Sequence, residues 1–157
     1  MKYIDTARFC HDNTKLSGSL MALDLPRLAA EVLPHSDFVV DWTAEGVSPD
    51  FMDLSLKSTV QMTCQRCLTA LPEQIDVSYR FKFALDEATA QAEDEQTDDV
   101  DMLVHARQFD LLELIEDEML MALPFVSLHE TCPDAGALAF LPKEEKQNPF
   151  AILKTMA

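Results

Sequence analysis

The chain has 157 residues, 28 of them acidic and 12 basic, for a formal charge of −16, and a 48% hydrophobic share. That length matches the usual ~100–200 residues of one domain, so residues 1–157 read as a single unit with enough apolar content for a core. The charge excludes a protein that coats RNA or DNA phosphates with Lys and Arg, and three well-separated glycines, Gly18, Gly46 and Gly136, exclude a P-loop or dinucleotide-binding fingerprint.

The opening stretch, MKYIDTARFCHDNTKLSGSL, carries charges throughout and no apolar signal region, and no run of about 18 apolar residues occurs anywhere, so a cytoplasmic chain without a membrane partner is expected. A first helix is expected after Asp24 as cap: Pro26 suits an early helical position, Leu25, Leu28, Ala29 and Val32 share a face, and Pro34 stops the pattern. Short strands follow. Phe38 to Trp42 is apolar and β-branched, with Phe38 and Trp42 expected in the core; Met52, Leu54 and Leu56 alternate with polar residues, as do Val60, Met62 and Cys64. The clearest strand is 75–85, where Ile75, Val77, Tyr79, Phe81, Phe83 and Leu85 oppose Asp76, Ser78, Arg80 and Lys82. Residues 86–101 hold eight acids and no Lys or Arg, which predicts a solvated, flexible acidic loop over 86–108. Helical spacing returns at Phe109. Asp110 and Glu113 resemble a capping box, Leu111, Leu112, Ile115, Met119 and Ala122 form an apolar stripe, and Glu113, Glu116, Asp117 and Glu118 are placed outside. Pro124 ends this helix, and 143–157 reads as a C-terminal tail with Lys143, Lys146 and Lys154. The fold class expected is α+β: an antiparallel, partly curled sheet packed with an amphipathic helix, plus the acidic loop.

Four cysteines, at 10, 64, 67 and 132, sit in a chain read as cytoplasmic, where disulfides are rare. Cys64-Gln65-Arg66-Cys67 falls at the turn between two predicted strands, the setting of a zinc knuckle, and His129 and Cys132 are the other closely spaced pair of soft ligands. Cys64, Cys67, His129 and Cys132 thus form a candidate Cys₃His zinc site. Two further readings stand beside it: small buried hydrophobes, and a redox pair, although a thioredoxin-type pair opens a helix and nothing helical follows Cys67. Glu113 and Asp117, four apart, read as a solvated face rather than a catalytic carboxylate pair.

The segments TCQRCL at 63–68, DLLELIEDEMLMALPFVSLHETC at 110–132 and KQNPFAIL at 146–153 together resemble the YceD family of large ribosomal RNA subunit accumulation proteins. The resemblance covers the chain from about residue 50 onward. It implies a role in synthesis, processing or stability of 23S ribosomal RNA, with ribosomal RNA precursors or large-subunit assembly intermediates as partners, and no established catalytic mechanism. Family members similar to zinc proteins carry extra cysteines after the helix, where this chain has Cys132 alone.

Charge supplies the remaining candidates. Lys57, Arg66, Arg80 and Lys82 make residues 57–85 locally positive, a candidate RNA contact. Glu113, Glu116 and Asp117 form a candidate acidic surface for a basic ribosomal protein or processing factor. A non-enzymatic adaptor or assembly factor follows from this division; the alternative is a zinc-binding or thiol-redox protein with an enzymatic role in RNA processing.

Overall fold

The structure, a computed structural model, describes residues 3–94 and 100–133. The expected tail at 143–157, with its three lysines, lies outside the described residues, as do residues 95–99 of the acidic segment. The chain runs β1 (Tyr3–Ile4), α1 (Thr6–His11), β2 (Lys15–Met21), α2 (Pro26–Glu31), β3 (Val39–Val47), β4 (Phe51–Thr63), β5 (Ala70–Ala84), α3 (Glu87–Asp94), β6 (Asp101–Val104), β7 (Phe109–Asp110) and α4 (Leu111–Ala122). Among the described residues, five strands form an open sheet in the order β2-β3-β4-β5-β6, and β1 pairs with β7. The class is α+β, as the sequence pattern predicts.

The sheet is antiparallel from β2 to β5. Its register aligns one apolar face: Leu16, Ala44, Leu54 and Tyr79 form one row, and Leu20, Val40, Ser58 and Ile75 another. Met52, Leu54, Leu56, Phe81 and Phe83 are buried there with Leu28 of α2 and Leu111, Ile115 and Met119 of α4. Burying each such side chain is worth roughly 1.5–3 kcal/mol. The two short strands expected around 52–57 and 59–64 are one, because the alternation keeps its phase through Ser58, the one polar residue on the apolar side between Met52 and Met62. The next strand ends at Ala84, and Leu85, expected on the apolar face, is 85% exposed.

The acidic segment departs most from expectation. β6 runs parallel to β5, with Phe81 opposite Asp101 and Ala84 opposite Val104. A parallel neighbour requires a crossover of a dozen or more residues, usually with a helix, and α3 is that helix. Asp86 starts it by accepting the Thr89 N–H at 2.8 Å, and three alanines supply helix propensity. Lys82 reaches Glu93 at 2.6 Å, so α3 lies over the polar face of the sheet at its end.

α4 begins where predicted, with Asp110 accepting the Glu113 N–H at 3.1 Å. Glu116, however, is 6% exposed rather than outside. A buried carboxylate is costly unless donors surround it, and here Arg27 N at 2.7 Å, Leu28 N at 3.2 Å and Arg27 Nε at 2.8 Å all donate to it. Glu116 therefore satisfies the orphan N–H groups at the start of α2, while Asp24, the expected cap, accepts from Met21 N instead. Arg27 also pairs with Asp117 at 2.6 Å.

Two close fits hold the N-terminal elements. His105 lies 3.0 Å from the Thr6 hydroxyl and 3.3 Å from Asp50 and stacks on Phe83, joining α1, the β3–β4 turn and β6. Gly46 lies directly under α1, where a Cβ would sit 2.2 Å from the Phe9 carbonyl oxygen.

Gly46→Ala therefore pushes α1 off the sheet and lowers stability by roughly 1–3 kcal/mol, measured as a fall in urea midpoint at unchanged slope. A second test concerns Glu118, whose pKa is raised above the usual 4.5 by burial and then by the charges of Asp101 and Asp117. That carboxylate opposes folding at neutral pH, so Glu118→Gln stabilises by roughly 0.5 kcal/mol, a small figure because solvent screens this site. Below pH 4.5 both states are protonated and the advantage vanishes; between that value and the folded pKa the native state holds more protons, so wild-type stability falls as pH rises. Urea titrations at acidic and neutral pH separate the two regimes.

Candidate metal centre

The β4–β5 hairpin closes through residues 64–69, with Leu68 N donating to Cys64 O at 2.8 Å and Cys64 N to Thr69 O at 2.9 Å. To make this turn Leu68 adopts φ 62, a left-handed conformation that glycine takes without cost, and its side chain is 75% exposed. After α4 ends at Ala122, the chain crosses this tip. Gln65 N donates to Ser127 O at 3.0 Å, Gln65 Nε2 to Phe125 O at 3.2 Å and Arg66 Nη2 to His129 O at 2.6 Å.

These bonds bring the two ligand pairs together. One ligand atom from each of Cys64, Cys67, His129 and Cys132 lies within 4.8 Å of the others. Cys64 Sγ is 3.9 Å from Cys132 Sγ, and Cys67 Sγ is 3.4 Å from His129 Nδ1. Thiolates held about 2.3 Å from one tetrahedral ion lie about 3.8 Å apart, and a thiolate and an imidazole nitrogen about 3.5 Å apart. Both distances agree with that arrangement. The other imidazole nitrogen, Nε2, is 3.2 Å from Ala70 O. A carbonyl only accepts, so Nε2 carries a proton, and in the neutral imidazole Nδ1 then presents its lone pair to the cluster, the orientation a metal-bound histidine adopts; hydrogen bonding with Cys64 and then Cys67 raises the His129 pKa above the usual 6.5, so a metal at Nδ1 would displace a proton.

Hydrogen bonds also set the thiol electrostatics. Burial raises the Cys64 thiol, but N–H groups of Cys67, His129 and Arg66 reverse this and bring its pKa down to about 5. Thr69, with Oγ1 3.1 Å from the sulfur, lowers Cys67. Burial raises Cys132, opposed by Arg66 Nε at 3.0 Å. Cys10 stands in contrast: fully buried, with no such donor among the described residues, it is pushed up to about 11 by burial and by Asp50. Three thiolates, a neutral imidazole and a divalent soft cation sum to one negative charge, which Arg66 offsets. The donor set fits zinc, and four protein donors would close a tetrahedron as in a structural site. No helix follows Cys67, so the setting of a thioredoxin-type pair is absent.

Most of the other sequence candidates already have partners. Lys57 pairs with Asp76 at 2.9 Å, Arg80 makes a two-pronged pair with Asp53 at 2.6 and 2.7 Å, Lys82 meets Glu93, and Arg66 points into the cysteine cluster. The cationic patch is thus internally neutralised, because register sets Arg80 opposite Asp53 and the crossover brings Glu93 to Lys82. Of the acidic trio, Glu113 is exposed, whereas Glu116 is buried and, with Asp117, committed to Arg27. Gln65 and Thr69 were not singled out from sequence, although their place beside the two cysteines was the available signal.

The thiols should react accordingly. In native, metal-free protein at pH 8, iodoacetamide is expected to modify Cys67 well before Cys10, and added zinc is expected to protect Cys64, Cys67 and Cys132 without changing Cys10. Equal rates at all four sites, or no protection by zinc, would remove the cluster from consideration.

Comparison with known proteins agrees with the motifs. Residues 52–157 match the family model described as "Large ribosomal RNA subunit accumulation protein YceD". The chain is 25% identical over 155 residues to the Haemophilus influenzae protein of that name, an alignment covering 88% of this chain and 85% of that one. No solved structure matches. The family match spans the β4–β5 hairpin from Met52 onward, its cysteine tip, α4 and the segment that crosses the tip: the chain belongs to the YceD family.

Proposed function

We propose that this protein is a cytoplasmic, non-enzymatic factor for accumulation of 23S ribosomal RNA, acting as an adaptor in large-subunit assembly. The observation that carries the reading is the family match over residues 52–157. The acidic excess supports an adaptor that holds a basic ribosomal protein or processing factor, since complementary charge speeds and selects such encounters. Zinc at Cys64, Cys67, His129 and Cys132 would supply structure rather than chemistry, because a closed four-ligand site leaves no position for a reacting water. Direct RNA contact through Lys57, Arg66, Arg80 and Lys82 is the weaker arm, as each cation already has a partner.

Purification of the tagged protein at low salt tests the reading. Large-subunit RNA precursors and a basic protein are expected to copurify and to dissociate steeply as salt rises, because exposed charges more than about 8–10 Å apart are then screened. Absence of precursor RNA, or complexes indifferent to salt, would overturn it. Purified protein is expected neither to cleave ribosomal RNA nor to reduce insulin disulfides; either activity would favour the enzymatic alternative.

A further inference from the structure

Among the described residues, the outer edge of β2 is open. β2 pairs with β3 on one side only, and among the described residues no backbone group of Leu16–Leu20 bonds outward. Unpaired edges of this kind accept an added strand unless charge, proline or a covering element blocks them. The strand has one charged residue, Lys15 at its start, which is paired with Glu45 at 2.6 Å; Leu16-Ser17-Gly18-Ser19-Leu20 contains neither charge nor proline.

Beside the edge lies a cleft of about 280 Å³ between β2 and α4. Gly18 leaves its floor to the indole of Trp42, which a Cβ would approach to 3.2 Å, and Leu20, Leu112 and Ile115 form the walls. The indole Nε1 is buried there with no acceptor among the described residues. Across Leu112 the cleft meets a second hollow of about 380 Å³ carrying Asp110, Glu113 and Glu116 together with Arg27. Arg27 is spent on Glu116 and Asp117, which leaves Glu113 exposed and without an ion pair among the described residues.

From this juxtaposition we propose that the β2 edge and the Trp42 cleft bind an extended basic segment of a partner protein. The segment adds to the sheet through main-chain hydrogen bonds, sets an apolar side chain over Trp42 and presents a Lys or Arg to Glu113. Successive side chains alternate along a strand, so residues one and three of such a segment share the face towards the cleft. The acidic rim disfavours RNA, whose phosphates it repels. This narrows the proposed adaptor reading, on which it rests, to one site and one kind of ligand.

The test uses the full protein and the peptide acetyl-Lys-Thr-Val-Thr-Lys-Thr-Leu-Thr-Lys-amide, whose Lys, Val and Leu share one face of an extended strand, with Trp42, the single tryptophan of the chain, as fluorescent reporter and the amide resonances of Ser17–Leu20 as a second readout. Binding is expected to shift both. Replacing the peptide's Val and Leu by Ser at unchanged charge, or Glu113→Lys in the protein, should weaken binding roughly tenfold, whereas Glu87→Lys on α3, the same charge change elsewhere, should alter it less than about twofold. The proposal falls if the Ser peptide or a single-stranded RNA binds as well, if Trp42 and the β2 amides stay unmoved, or if Glu113→Lys has no effect. It also falls if the β2 amides shift with protein concentration alone, which would make the occupant a second copy. Copurification of ribosomal RNA precursors is scored separately: its persistence in a protein that fails the peptide test leaves the adaptor reading standing, and its absence despite peptide binding removes that reading alone.

Discussion

The pairing of β4 with β5 organises everything else in this molecule. Side chains alternate along both strands, so a slip of one residue would exchange the buried and solvated faces over the full length of the hairpin. In the observed register Met52 lies opposite Phe81 and Leu54 opposite Tyr79 on the apolar side, while Asp53 meets Arg80 and Lys57 meets Asp76 on the other. The same register ends at Thr63 opposite Ala70, which fixes where the turn falls and so where Cys64 and Cys67 stand. Core, solvent face and candidate metal centre are three readings of one alignment.

Charge in this protein divides into spent and available carboxylates. Glu116 is buried against the first turn of α2, Asp117 and Asp53 are held by arginines, and Glu93 is held by Lys82. These groups knit helices to the sheet and contribute little to the field outside. Glu113 faces solvent without such a partner among the described residues, and Glu118 sits close to two other acids. An acidic composition therefore does double duty, with internal ion pairs concentrated around Arg27 and Arg80 and an outward excess around α4.

Long, strongly alternating or periodic segments were legible in the sequence. The helix from Leu111 to Ala122 carries a clean apolar repeat and matches within a residue or two, and the strand expected at 75–85 ends one residue early at Ala84 but begins five residues sooner, at Ala70, because the segment 70–74 pairs with β4 without an apolar repeat of its own. β2 was not legible, because Ser17, Gly18 and Ser19 have low strand propensity and an edge strand needs no continuous apolar face. α1, at six residues, is too short to show a period. The helix within 87–94 was hidden by the charge around it: eight acids over 86–101 suggested a solvated loop, and only the parallel pairing of β6 reveals why a crossover helix forms. For the candidate site, residue types and spacing pointed to Cys64, Cys67, His129 and Cys132, but their convergence depends on Gln65 and Arg66 bonding backbone carbonyls more than fifty residues away in sequence. Cross-chain bonds of that kind leave no periodic trace. The same applies to Arg66, Arg80 and Lys82, whose neutralising partners come from other elements.

The convergence at the hairpin tip also joins distant parts of the chain. Cys64 and Cys132 are separated by 68 residues, and the chain between them includes β5, α3, β6 and α4. Closing so large a ring costs entropy, and the register of the hairpin and the docking of α4 bring its two ends together. The cluster therefore depends on both: two thiols belong to the β-rich part, an imidazole and one more thiol follow the helix, and a change that loosens either part separates the pairs.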